Sequence, residues 1–176
     1  MQISEPVTML TDYALGAASA CFAVSLSRNL RPQNRTCLRL WVLGFAGIAV
    51  AAFLGGTYHG FVLALSPPAL RSLWNITIFS IGMSGAFMVS GVIAASTKKH
   101  PASKVWLQSG VVLTAAGFGV QLTGFRQGAD FNHNDAFHVS QIAALYLFFQ
   151  GARLLEDVSP RLAAPSAHDK SNRRSG

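Results

Sequence analysis

A chain of 176 residues in which 51% are hydrophobic and only 12% are Asp, Glu, Lys or Arg carries about half the charge of a soluble domain, where roughly 25% is usual. That shortage leaves too little polar surface to cover a soluble fold. It also excludes intrinsic disorder for most of the chain, and two cysteines exclude a disulfide framework. The net charge of +7 raises nucleic acid as a partner, a reading that depends on where the basic residues sit.

A helix crossing a bilayer needs about 20 mainly apolar residues. Five stretches qualify, at residues 6–26, 40–65, 70–96, 105–125 and 136–155. They predict an all-α fold, a polytopic membrane bundle of five transmembrane helices occupying residues 1–158. Pro32, Ser66-Pro67-Pro68 and Pro101 punctuate the separators. Residues 159–176 are small and polar and read as a disordered cytoplasmic tail. The first span follows Glu5, with no Lys or Arg before it, so it reads as an uncleaved span rather than a signal peptide.

The basic residues alternate by side. Arg28, Arg31, Arg35 and Arg39 follow span one; Lys98, Lys99 and Lys104 follow span three; Arg153, Arg161, Lys170, Arg173 and Arg174 follow span five. Twelve of the 14 therefore share one side, and only Arg71 and Arg126 fall on the other. Cytoplasmic loops of membrane proteins carry such an excess, which places the N-terminus outside and the C-terminus inside, in a plasma (bacterial inner) membrane. The basic excess then reports topology. Membrane lipid is the expected partner and nucleic acid is not.

Small residues let membrane helices approach closely. Asp12, Gly16 and Ala20 share one face of span one, and Gly47, Ala51, Gly55 and His59 one face of span two. Gly82, Ala86 and Ser90 form a stripe on span three, and Gly110, Thr114, Gly117 and Gln121 on span four. Three of these stripes aim a polar residue, Asp12, His59 or Gln121, into the bundle. With Asn75, Thr77, Asn132, His133, Asn134, Asp135, His138 and Gln141, they form a polar layer about one to two turns below the outer surface, in which Thr57, Asn75, Gln121, Asn134 and Gln141 are expected to contact a substrate or support the site. Ionisable groups are expensive there and default to function.

His59, His133 and His138 are ligand types for zinc, with Asp12 and Asp135 as general base or as groups orienting an imidazole. His133 and His138 can meet one ion only if the last helix begins near Asn134, a good N-cap, and His133 bends back from the loop. Zinc-bound water would then attack an ester or amide.

A histidine late in an early span, with two more entering the last span beside an acid, resembles the CREST superfamily of membrane hydrolases. That superfamily includes the alkaline ceramidases, the adiponectin-receptor-like proteins and the haemolysin III group. The resemblance implies a zinc-dependent amidase or lipid hydrolase, with His59 as the early histidine and His133 and His138 as the late pair. Gly55 stands where the family has serine, and four residues rather than three separate the late histidines. Thr11-Asp12-Tyr13 and Asn132-His133-Asn134-Asp135 also look like those of a group of uncharacterised small bacterial membrane proteins. Two alternatives stand beside the hydrolase. One is a mono-haem protein with His59 and His138 as axial ligands; the other is a non-enzymatic binder of a small molecule or ion, or an accessory protein.

Overall fold

The computed structural model describes residues 3–96, 101–124 and 131–158. Lys98, Lys99, Arg126, Asp130 and the expected tail from residue 159 lie outside these residues. The chain forms α1 (Pro6–Ser27), α2 (Arg35–Phe61), α3 (Pro67–Ala94), α4 (Pro101–Thr123) and α5 (His133–Ala152). A 3-10 turn, Pro32–Asn34, leads into α2.

Three helices begin on a proline. The ring fixes φ near its helical value, and the missing N–H would have no intrahelical partner in the first turn. Pro67 and Pro101 therefore start α3 and α4 rather than standing outside them, so both begin a turn earlier than the apolar pattern suggests. The turn at Pro32–Asn34 likewise brings Arg35 and Arg39 onto α2.

Helices α1, α2 with its leading turn, α3 and α4 are long and apolar enough to cross a membrane, which makes this an integral membrane protein. Helix α5 carries Asn134, Asp135, His138 and Gln141 in its first half and packs against α1 and α4. The helices form a row, α3–α2–α1–α5–α4, whose two ends, α3 and α4, barely touch. The N-terminal end of α1 and the C-terminal end of α2 meet at one pole, the histidine end; Arg28, Arg31, Arg35, Arg39 and Arg153 gather at the other, the arginine end.

Small residues set the helix spacing. A Cβ at Gly55 would lie 3.3 Å from Asp12 Oδ2, one at Gly56 2.7 Å from the Tyr13 ring, and one at Gly16 3.2 Å from Phe53. These contacts join α1 to α2. Gly47 lies against Ser84 and joins α2 to α3; Gly110 lies against Phe148 and Gly117 against Ser140 and Gln141, joining α4 to α5. The stripe Gly82, Ala86 and Ser90 does not pack inward. All three are exposed, and the packed face of α3 is Thr77, Ser84 and Gly91, spaced by seven. Two small-residue stripes compete on α3, and the one bearing hydroxyls that bond back to the helix, Thr77 to Leu73 O and Ser84 to Ser80 O, faces α2.

Toward the arginine end the bundle core is aromatic. Phe22 stacks on Phe149 at 4.8 Å and meets Phe45 edge-on at 5.6 Å, with Trp41 beside Phe45. A short clasp closes this end. Ala95 and Ser96 pair antiparallel with Asp157 and Glu156, and Val158 N donates to Ala94 O. Asp157 then caps α2: its Oδ1 accepts from Cys37 N at 2.7 Å and its Oδ2 from Thr36 N at 3.0 Å. A carboxylate at a helix N-terminus satisfies donors with no intrahelical partner and meets the positive end of the dipole.

Burial pushes the Asp157 carboxyl up, but the Cys37 and Thr36 N–H groups outweigh it and hold it below its ordinary 3.8. A group with a depressed folded value contributes stability above its unfolded pKa and loses it as pH falls through the folded one. Asp157→Ala should therefore lower stability in detergent at pH 7 by about 1 kcal/mol. The difference from wild type, measured by denaturant unfolding, should shrink as pH falls below about 4; a pH-independent difference would contradict the cap.

Candidate functional site

At the histidine end the five helices line a partly open cavity of about 210 Å³. Each supplies a polar group: Asp12 from α1, His59 from α2, Thr77 from α3, Gln121 from α4, and Asn134 and His138 from α5. Leu15, Ile48, Ile81, Trp74 and Phe137 make apolar walls. Trp74 also lies 5.3 Å from the Tyr58 ring.

The start of α5 aims its share of the site. Asn132 is the N-cap: its Oδ1 accepts from Asn134 N at 2.7 Å, and its own N donates to Asp135 Oδ2 at 2.8 Å. This reciprocal cap puts Asp135 at 0% exposure. It also corrects the expected cap at Asn134. The helix begins at His133, so His133 and His138 lie on one continuous helix, splayed by about 140°. Asn134 in turn accepts from Gln121 Nε2 at 2.6 Å, linking α5 to α4.

Asp12 and His138 are the centre of the site. His138 Nε2 lies 3.3 Å from Asp12 Oδ1, both side chains being largely buried. His138 Nδ1 lies 3.1 Å from Thr11 Oγ1, and Thr11 donates to Thr8 O at 3.0 Å. The proton positions follow from this order. A carbonyl only accepts, so Thr11 spends its one hydrogen on Thr8; it must then accept from His138, which places a proton on Nδ1. Nε2, 3.3 Å from Asp12 Oδ1, is then placed to accept from a protonated Asp12 or, in the imidazolium, to face its carboxylate.

The other sites fall as follows. His59 lines the cavity and its Nδ1 is 2.9 Å from Glu5 Oε2, while Ser4 N donates to Gly60 O beside it. Thr57 bonds to Phe53 O and to Tyr13 Oη and does not line the cavity. Asn75 is exposed. Gln141 sits against Gly117 between α4 and α5, and its Nε2 has no partner among the described residues. His133 Nδ1 and Asp135 Oδ1 are buried, also without a partner among those residues. Among the described residues, no group of three His, Cys, Asp or Glu is arranged to hold a metal ion. Both ring nitrogens of His138 and one of His59 are already engaged. The residues expected to hold zinc therefore do not assemble a ligand set.

Thr11 and Glu5 are neighbours of the site histidines that the spacing of apolar residues does not reveal. Glu5 reads as a flank, although it lies seven residues before Asp12, two turns away on the same side of the chain.

The fold and cavity define the class: an all-helical integral membrane protein with a polar-lined cavity toward one end of its bundle. The chain belongs to the family described as "Family of unknown function (DUF6962)", whose profile matches residues 7–108 and 92–157. No curated protein and no solved structure matches it.

If Asp12 and His138 share a proton, their replacement is not additive. Asp12→Asn and His138→Gln should each destabilise the protein in detergent, and the double variant should lose about 1–3 kcal/mol less than the two losses combined. Additive losses would dissolve the pair.

Proposed function

We propose that the protein binds a compact small molecule in the five-helix cavity and that the Asp12–His138 pair exchanges a proton or hydrogen bond with it. The supporting observation is the convergence of one polar group from every helix on one largely apolar cavity. Ligand sites have this composition, mainly apolar walls with few placed polar groups. A cavity of about 150 Å³ takes benzene, so 210 Å³ suits a ring or short branched chain with one polar substituent.

Catalysis is the second reading, favoured by the hydroxyl–imidazole–carboxylate series Thr11–His138–Asp12. Its members are those of a nucleophile triad, but the proton order differs. A nucleophile gives its proton to the imidazole, whereas Thr11 accepts one from it. The series thus positions His138 more than it activates Thr11. Hydrolysis of a lipid-like amide or ester, which the CREST resemblance implies, would have to use Asp12–His138 as general base on a water molecule.

We further place the arginine end in the cytoplasm and the cavity toward the outer side of a bacterial inner membrane, on the strength of the positive-inside rule.

Thermal unfolding of the detergent-purified protein with benzamide, benzoate and cyclohexanol tests the binding reading. Millimolar probe should raise the midpoint by a few degrees, about 1 kcal/mol of linkage. Ala51→Phe, which fills the cavity wall, should abolish the rise. No rise, or one that survives Ala51→Phe, would contradict binding there. Stoichiometric zinc lost in His59→Ala would instead favour the metal hydrolase, and a Soret band the haem protein.

A further inference from the structure

A second feature lies at the opposite pole. Arg31 and Arg153 line a polar cavity of about 330 Å³ formed by the α1–α2 connection and the segment after α5. Asn29 also lines it and continues into a groove of about 450 Å³ along α1, walled by Ala20, Cys21, Val24 and Ser25 and ending at Arg28. The two spaces share Asn29, so the groove runs from the membrane-facing flank of α1 to the arginines. Its apolar part exists because Ala20 and Cys21 are small beside an exposed Val24.

The charges at the head of the groove are basic. Arg153 donates through Nη1 to Gln150 Oε1 at 3.1 Å and lies over the Phe149 ring, which leaves its other N–H groups for a further acceptor. No hydrogen bond or ion pair among the described residues uses the Arg31 guanidinium; its backbone N donates to Asn34 Oδ1, which shapes the cavity wall. The one acid lining the cavity, Glu156, has a partner of its own. Arg31 and Arg153 thus share the cavity with one acid, and Arg28 ends the apolar groove beside it.

We infer that this surface binds an anionic phospholipid of the adjoining leaflet, one acyl chain lying along Ala20, Cys21 and Val24 and the phosphate held by Arg31 and Arg153. An acyl chain suits the groove because Val24, 49% exposed, already faces the lipid. A phosphate suits the arginines because the guanidinium fork matches its oxygens. Basic clusters beside membrane helices recognise anionic lipids through the same attraction.

The test is native mass spectrometry of the full chain released from micelles carrying equal phosphatidylglycerol and phosphatidylcholine. Phosphatidylglycerol should be retained roughly tenfold over phosphatidylcholine, and Arg31→Ala/Arg153→Ala should bring the ratio near one. Cys21→Trp, which fills the groove and leaves both arginines, should also lower retention, with the unfolding midpoint showing that the variant folds. Arg71→Ala, at the other pole, should change nothing. Equal retention of the two lipids, or an unchanged ratio in the double arginine variant, would overturn the inference. Retention that survives Cys21→Trp and is competed by millimolar inorganic phosphate would overturn it too, because the site would then hold a free anion and not a lipid.

Discussion

The pairing of Asp12 with His138 is the interaction on which the bundle depends. An isolated charge taken from water into an apolar interior is unaffordable, and a group so placed neutralises or finds a partner. Neither residue can be buried alone, so α1 and α5 are held together at one height and one rotation. That fixes more than a pair. Asp12 sits against Gly55, its neighbour Tyr13 against Gly56, and Gly16 against Phe53, so the rotation that presents Asp12 to His138 also presents the close-packing face of α1 to α2. On the other side, Asn134 and Gln121 bond where α5 turns toward α4.

The two poles of the bundle solve opposite problems. The arginine end is filled by aromatic rings and closed by Asp157, which reaches across 120 residues of chain to cap α2. The histidine end is left with a cavity several of whose polar groups are held by bonds to neighbouring side chains or to the backbone. His59 is tied to Glu5, Thr77 to Leu73 O, and Gln121 to Asn134. The row of helices leaves α3 and α4 nearly separate, so the cavity is bounded on that side by two helices that share little packing.

Much of this was legible in the sequence, and the residues that were not share a reason. The helices and the sorting of charge were legible because composition and 3.6-residue periodicity act within a helix. The polar layer was legible for the same reason, and Asp12, His59, Gln121, Asn134 and His138 all reach one cavity. Periodicity names a face but not the neighbour that face meets. Gly82, Ala86 and Ser90 form as good a stripe as Thr77, Ser84 and Gly91, and only packing chooses between them. The start of α5 turned on a cap, since Asn132 and Asn134 are both good cap residues and only Asn132 has an acid at the third helical position to complete a reciprocal cap. That one choice carries His133 onto the helix and away from His138, which disperses the expected zinc ligands. Thr11, Glu5 and Asp157 were hidden because their partners lie 127, 54 and 120 residues away.

The nitrogen resonances of the His138 ring, in protein labelled with ¹⁵N-histidine, test the pairing of Asp12 with His138 most directly. A protonated Nδ1 is expected, with an Nε2 resonance that moves on Asp12→Asn and stays in place on His59→Gln. An imidazole whose two nitrogens average as in free histidine, unchanged by Asp12→Asn, would contradict the pair.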